Sequence, residues 1–306
     1  MTGGHGVKTD KSRTVIAPAK INLYLHVTGR RADGYHLLDS LVAFAGIHDV
    51  LRVNPAAELT LELNGPFAED VPAGSGNLVL MAAQRLREQA GINDGAALKL
   101  TKRLPPAAGI GGGSADAAAA LRALNGLWGL GFADKELLAI GLKLGADVPV
   151  CLRGRAVFMG GVGENLIPAP ALPRAWVVLV NPGVSLSTPT VFEKRRQMTG
   201  DDFSAPGSFD YAPRDAAELA AVLAKRRNDL EDAAAALIPA IGEVLAALNE
   251  TAGVLLARMS GSGATCFGLM GTAEEAAAAA FALAGAHPEW WIKAASLKSN
   301  IVRIGG

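Results

Sequence analysis

Four glycines in five positions stand at Gly109-Ile110-Gly111-Gly112-Gly113, followed at once by Ser114 and an Ala-rich run. Glycine takes positive φ freely and lets successive backbone N–H groups converge on an anion. A helix start behind such a loop adds unpaired N–H donors and a positive dipole end. Ser114 can cap that helix or offer its hydroxyl to a metal or a phosphate. A single glycine pair would suit a plain tight turn. A cluster this dense, between a strand pattern and a helix pattern, favours a phosphate cradle. It is not a Walker loop, because GxxxxGK[ST] is absent. It is not the dinucleotide fingerprint either, because Ser114 stands where the third glycine belongs.

Two other stretches carry candidate chemistry. Pro18-Ala19-Lys20-Ile21-Asn22-Leu23 puts Lys20 and Asn22 on one polar strand face, an ordinary arrangement for a solvent-facing sheet. Gly145-Ala146-Asp147-Val148-Pro149-Val150 sets a carboxylate among apolar residues after a helix. A buried carboxylate needs a partner or a task. On spacing alone Asp147 is equally a helix cap or a catalytic group. Cys151 and Cys266 show no metal or disulfide spacing. Each lies in an apolar run and reads as a small core residue. No His/Cys/Asp cluster points to a resident metal.

The elements that must position these residues follow from length and periodicity. The chain has 306 residues, and about 150 per domain gives two domains with a real core. Half of the residues are hydrophobic and the net charge is zero, which excludes intrinsic disorder. Lys+Arg and Asp+Glu balance at 29 each, so there is no basic field for nucleic acid or anionic membrane. A polyanionic ligand needs a local site. No apolar stretch approaches a membrane span, and the first dozen residues lack a signal-peptide core. A cytoplasmic protein is therefore expected, without nucleic-acid or membrane partners. Residues 1–12 read as a flexible tail.

Alternation predicts strands at Ile21–Val27, Leu51–Val53, Leu59–Leu63 and Ala97–Thr101. Helical spacing predicts Asn77–Ala90, Ser114–Asn125 and Asp134–Leu144. The Pro-rich stretch Ile167–Pro173 marks a boundary, giving domains over 13–167 and 168–306. Beyond it come a strand at Trp176–Val180, a polar mobile loop at Met198–Arg214, and helices at Asp215–Arg227 and Glu231–Asn249. Strands at Val254–Met259 and Thr265–Met270, a helix at Ala273–Ala286 and a strand at Trp290–Leu297 complete the chain. The fold class is α+β. Its second half has the ferredoxin-like order, strand-helix-strand-strand-helix-strand, with an extra helix in the first crossover.

Together, Pro18–Leu23, Gly109–Asp116, Leu144–Pro149 and Gly261-Ser262-Gly263-Ala264 resemble, in order and spacing, the GHMP small-molecule kinases. The resemblance spans roughly residues 14 to 300 and implies an N-terminal domain like domain 2 of ribosomal protein S5. Arg30-Arg31-Ala32-Asp33-Gly34-Tyr35-His36, Asn77-Leu78, Lys102-Arg103-Leu104-Pro105 and Pro182–Ser185 are similar to one branch of that family. Its acceptor is a cytidine-diphosphate sugar alcohol, phosphorylated on its 2-hydroxyl in the non-mevalonate route to isoprenoid precursors. Ala107 and Ala108 stand where the family often has further glycines. Alanine keeps a normal backbone donor, so the cradle should survive.

The resemblance implies ATP as phosphoryl donor, with Mg²⁺ carried on the nucleotide rather than in a protein cage. Asp147 would accept the acceptor's proton or orient its hydroxyl. Lys20 would stand beside it and steady charge in the transition state. Gly109, Ile110, Gly111, Gly112, Gly113, Ser114 and Ala115 would hold the triphosphate. Asn77, Lys102 and Pro105 match positions near the adenosine, though an N-cap and a solvated strand charge explain the first two equally well. Tyr35 and His36 would read the cytosine, and Asn22 would hold the substrate side. Phe192, expected in a polar turn after Ser187-Thr188-Pro189, would stack on the base unless it is core. Gly261 and Gly263 would line the cleft, although a glycine hairpin turn suffices to explain them.

Two rivals share these motifs: a related kinase for mevalonate, homoserine or a polyol, and a nucleotide binder without turnover. A substrate lacking a nucleobase gives Tyr35 and His36 nothing to read. A pure binder has no need of both Lys20 and Asp147. The sequence is silent on oligomeric state.

Overall fold

A computed structural model describes residues 12–207, 209 and 211–301. The tail expected over 1–12 falls, up to residue 11, outside the described residues. The first half runs β1 (Arg13–Arg30), β2 (His36–Ala56), β3 (Leu59–Asn64), α1 (Leu78–Ala90), β4 (Gly95–Thr101), α2 (Gly112–Leu127), α3 (Asp134–Leu144), α4 (Val148–Arg153), β5 (Val157–Gly161) and β6 (Asn165–Pro168). The second runs β7 (Trp176–Asn181), α5 (Thr188–Thr199), α6 (Ala216–Ala224), α7 (Glu231–Leu237), α8 (Pro239–Glu250), β8 (Leu256–Met259), β9 (Cys266–Met270), α9 (Ala273–Ala286) and β10 (Trp291–Lys298).

The second half forms an antiparallel sheet in the order β10-β7-β9-β8. With α5–α8 in the first crossover and α9 in the second, this is the ferredoxin-like arrangement that the order of elements predicts. Pro239 splits the helix expected over Glu231–Asn249 into α7 and α8, because proline removes an N–H and clashes with the preceding turn.

β1 and β2 are far longer than the alternation indicates. The cause is burial on both faces: Ala17 through Val27 of β1 are all under a tenth exposed. One face meets the Ala-rich α2; the other meets the second half of the chain. Strands buried on both sides lose the alternation that makes them legible. Ala117 and Ala120 of α2 are fully buried. Their small side chains let the helix lie close to the sheet, and a larger residue there would overpack at about 1–3 kcal/mol.

The sheets of the two halves are joined by β10. Near its end β10 pairs with β2 through Leu297↔Ala45 and Lys298↔Phe44. On its other side Phe44 pairs with Lys20 of β1. Lys20 therefore sits one strand away from the seam, which carries it to the cleft between the halves.

The stretch over Met198–Arg214 differs from the mobile loop expected. Its start belongs to α5, and the described part of the remainder is tied to β1 and β2. Ser204 N–H donates to Val27 O at 3.0 Å, and Gly207 N–H to Asp39 Oδ2 at 2.6 Å. Ser208 and Asp210 lie outside the described residues.

Candidate active site

Lys20 and Asn22 stand on one face of β1, between register shifts at Pro18/Lys20 and Asn22/Tyr24. Such irregularities increase local twist and re-aim side chains. Both residues are buried, at 4% and 1% exposure, so the solvent-facing reading of this strand is overturned. Buried polar groups must find partners. Lys20 Nζ lies 3.2 Å from Asp147 Oδ2 and donates to Asn22 Oδ1 at 2.5 Å. Asn22 Nδ2 donates to Ser40 Oγ at 2.8 Å. The ammonium is thus fixed by a chain of bonds rather than left to sample rotamers.

Asp147 occupies the N-cap position of α4, yet its carboxylate makes no cap bond and turns to Lys20. Its side chain keeps 32% exposure, on the cleft side. The cap alternative fails on this geometry.

The glycine loop crosses above Lys20. Lys20 N–H donates to Ile110 O at 2.9 Å. Gly111 has φ 64°, and a Cβ there would come within 2.6 Å of Lys20 Cγ. Gly109 has φ 74°, and its Cβ would fall 2.3 Å from Ser260 O on the second half. These two positions require glycine for both backbone and space. α2 starts at Gly112 with Gly111 as its N-cap. The N–H groups of Gly112, Gly113 and Ser114 precede the first intrahelical acceptor and are available to an anion.

These groups share one cleft of about 930 Å³. Gly111–Ser114 form one wall, Lys20 and Asp147 the floor, and Tyr35, His36 and Phe192 the far end. The β1–β2 turn delivers Tyr35 and His36, with Gly34 at φ 93° and Arg31 N–H donating to Tyr35 O at 2.8 Å. A cationic donor beside a carboxylate, next to an N–H-lined loop, can bind a polyphosphate and accept a proton from a hydroxyl.

The chain matches the family description "GHMP kinases N terminal domain" over residues 77–155 and "GHMP kinases C terminal" over 211–288. It is similar to 4-diphosphocytidyl-2-C-methyl-D-erythritol kinase of Paramagnetospirillum magneticum, 58% identical over 94% of this chain and 99% of that one. The protein of the same name from Rhodospirillum rubrum is 50% identical over 94% and 93%. The chain belongs to the 4-diphosphocytidyl-2-C-methyl-D-erythritol kinases, within the GHMP kinase family. A crystal structure of 4-(cytidine 5'-diphospho)-2C-methyl-D-erythritol kinase superposes with TM-score 0.77 at 37% identity, covering 96% of this chain and all of that one. A crystal structure of L. major mevalonate kinase in complex with R-mevalonate shares the fold with TM-score 0.70 at 18% identity, over 98% of this chain and all of that one.

The protein is a kinase, with ATP as its donor. Of the residues expected to serve it, Lys20, Asn22, Tyr35, His36, Gly109, Gly111, Gly112, Gly113, Ser114, Asp147, Phe192 and Gly261 are brought into one cleft. Others lie behind it. Ile110 and Ala115 are buried under the loop, and Pro105 and Gly263 are buried away from the lining. Asn77 caps α1: its Oδ1 accepts from Val79 N–H at 2.9 Å, and its Nδ2 donates to Pro72 O at 2.7 Å. Lys102 is not a solvated strand charge. It is 1% exposed, and its ammonium is shared between Asp49 and Asp116.

Phe192 lies within α5, not in a polar turn. Ser187 at the N-cap and Pro189 in the first turn start that helix, a signal present in the sequence. Its ring stacks on His36 with centroids 4.6 Å apart and 19° between planes. Sequence reasoning missed Thr188 and Ser262, whose hydroxyls meet at 2.7 Å in the cleft lining. It also missed Ser260, which accepts from Asn22 N–H and donates to Gly109 O, both at 3.1 Å. Single hydroxyls in turns carry no spacing signal.

Gly111→Ala should raise KM for ATP and lower kcat together, about a hundredfold in kcat/KM, because a methyl at this φ displaces the Lys20 stem. Steady-state kinetics on the folded variant checks this. Wild-type values would show that the loop is not the phosphate site.

Proposed function

We propose that this kinase transfers the γ-phosphoryl group of ATP to the 2-hydroxyl of 4-diphosphocytidyl-2-C-methyl-D-erythritol, a step in the non-mevalonate route to isoprenoid precursors. The observation that carries the reading is the Lys20–Asp147 pair, 3.2 Å apart, beneath the glycine loop in the same cleft as His36 and Phe192.

Phosphoryl transfer asks the protein mainly for positioning and charge stabilisation. The N–H groups of Gly111–Ser114 hold the β- and γ-phosphates. The acceptor oxygen attacks the γ-phosphorus and forms the new P–O bond. The bond to the β-phosphate oxygen breaks, and ADP leaves with its electron pair. The hydroxyl proton passes to the Asp147 carboxylate. Lys20 faces the charge that develops on the transferring group. Among the described residues no cluster of three or more His, Cys, Asp or Glu could hold a metal. Mg²⁺ arriving on ATP would draw its ligands from phosphate oxygens, water and the Ser114 hydroxyl, a donor set that suits it. It would neutralise phosphate charge there.

At the other end Tyr35, 65% exposed, is free to swing over a base. A base between Tyr35 and Phe192 takes the face that His36 now covers, so His36 moves from stacking to edge recognition. Burial, then the cations Arg30, Arg195 and Arg196, lower the pKa of His36 below its ordinary value of about 6.5. At pH 7 the ring is neutral, with one donor and one acceptor for a cytosine edge. The neutral form is lost as pH falls through that lowered value. KM for the cytidyl acceptor should therefore be flat from neutral pH upward and rise in acid. His36→Asn should abolish the rise, as kcat/KM against pH would reveal.

The deciding experiment is a coupled ADP-release assay with the cytidyl substrate beside mevalonate and homoserine. Turnover confined to the cytidyl compound is expected. Turnover of another alcohol, or of none, would discard this reading. Among the described residues no helix is long and apolar enough to cross a membrane.

A further inference from the structure

The neck of the glycine loop is closed by three buried ionisable groups. Asp49 of β2 accepts the backbone N–H of Arg103 and of Leu104 (2.9 Å) on one carboxylate oxygen, at the point where the chain enters the loop. Its other oxygen takes Lys102 Nζ. The same ammonium donates to Asp116 Oδ2 at 2.6 Å, in the second turn of α2, where the chain has left the loop. Entry and exit are thus tied through one lysine. Lys102 itself is held by its backbone, its N–H donating to Asn64 O at 2.7 Å. The triad lies directly under the first turn of α2: a Cβ on Gly112 would stand 3.6 Å from Lys102 Nζ and 3.8 Å from Asp49 Oδ2.

Such a cluster is costly. Side-chain exposures are 2% or less for Lys102 and Asp49, and 4% for Asp116. Asp116 Oδ1 is buried with no hydrogen-bond partner among the described residues. Two carboxylates face one ammonium behind a loop meant for anions, and burial first, then Asp49, push the Asp116 carboxyl up to about 7. Apolar residues of similar volume are often as stable as a buried ion pair, or more so. A cluster that stability does not require is accounted for by the geometry it fixes.

We propose that Asp49, Lys102 and Asp116 form an ionic clamp that sets the shape of the phosphate loop, making Lys102 and Asp116 positioning residues for a nucleoside triphosphate. Lys102 then serves ATP through the loop rather than by touching the nucleotide. The inference rests on the kinase reading of the cleft and deepens it.

The test uses Asp116→Asn, Lys102→Met and the double variant. Asp116→Asn keeps shape, and the double variant removes the charge from both groups, so the proposal does not depend on Lys102→Met folding with two carboxylates face to face. Binding of an unhydrolysable ATP mimic is measured by calorimetry, and KM for ATP and for the acceptor by steady-state kinetics. Each single variant should weaken nucleotide binding about tenfold to a hundredfold. Acceptor KM should stay within about twofold, and kcat should move less than KM for ATP. The double variant should be no worse than the poorer single one, because a clamp broken at either joint is open. If Asp116→Asn binds the mimic like wild type while Lys102→Met does not, Lys102 touches the nucleotide directly and the clamp is wrong. Equal losses for both substrates, tracking thermal stability, would reduce the triad to a structural one and also overturn it. Calorimetry needs no acceptor, so failure of the cytidyl assay would remove the substrate reading without deciding the clamp.

Discussion

Asp147→Asn is expected to lower kcat about 10³-fold, within the usual 10²–10⁴ range for losing a general base. KM for ATP and the melting temperature should barely change. The carboxylate is near-isosteric with the amide, keeps 32% exposure and does not cap α4. Little of the fold depends on it. The amide cannot take a proton, and it offers Lys20 a neutral oxygen in place of a charge. A loss of about 10³ corresponds to about 4 kcal/mol of transition-state stabilisation. Single-turnover phosphoryl transfer, read beside calorimetric ATP binding, separates chemistry from affinity. A folded variant with undiminished transfer would strike Asp147 from the catalytic group.

Lys20→Met should be second in size, with kcat down about 10²–10³-fold, the usual loss for one group that stabilises transition-state charge. It should also cost stability, unlike the first variant. Lys20 is buried, and its loss leaves Asn22 Oδ1 without its donor, at about 1–3 kcal/mol. Arginine should not rescue it. The stem of Lys20 runs within 2.6 Å of where a Cβ of Gly111 would stand, leaving no width for a planar guanidinium fork. Thermal melts together with kcat for Lys20→Met and Lys20→Arg check both parts. An active Arg variant would mean that positive charge alone, not its placement, is what matters.

Legibility followed the kind of constraint. The glycine cluster was readable because φ near 64–74° and contacts under 3 Å admit little else at Gly109 and Gly111. The ferredoxin-like half was readable because its four short strands are apolar runs set off by Ala-rich helices. The length of β1 and β2 was hidden, since burial on both faces erases period-two patterning. α5 was overlooked although Ser187 and Pro189 announce its start, because its 12 residues include five of charged or amide type and present a weak apolar stripe.

Local chemistry along the chain therefore determined the loop, while the family resemblance implied the candidate acid–base pair and the aromatic end of the site as separate pieces. Only the tertiary fold decided their relations: Lys20 against Asp147 at 3.2 Å, His36 against Phe192, and Lys102 withdrawn into a buried triad with Asp49 and Asp116. Burial and pairing depend on what packs across from a residue. For Lys102 that is Asp49, 53 positions away in sequence and one strand away in space.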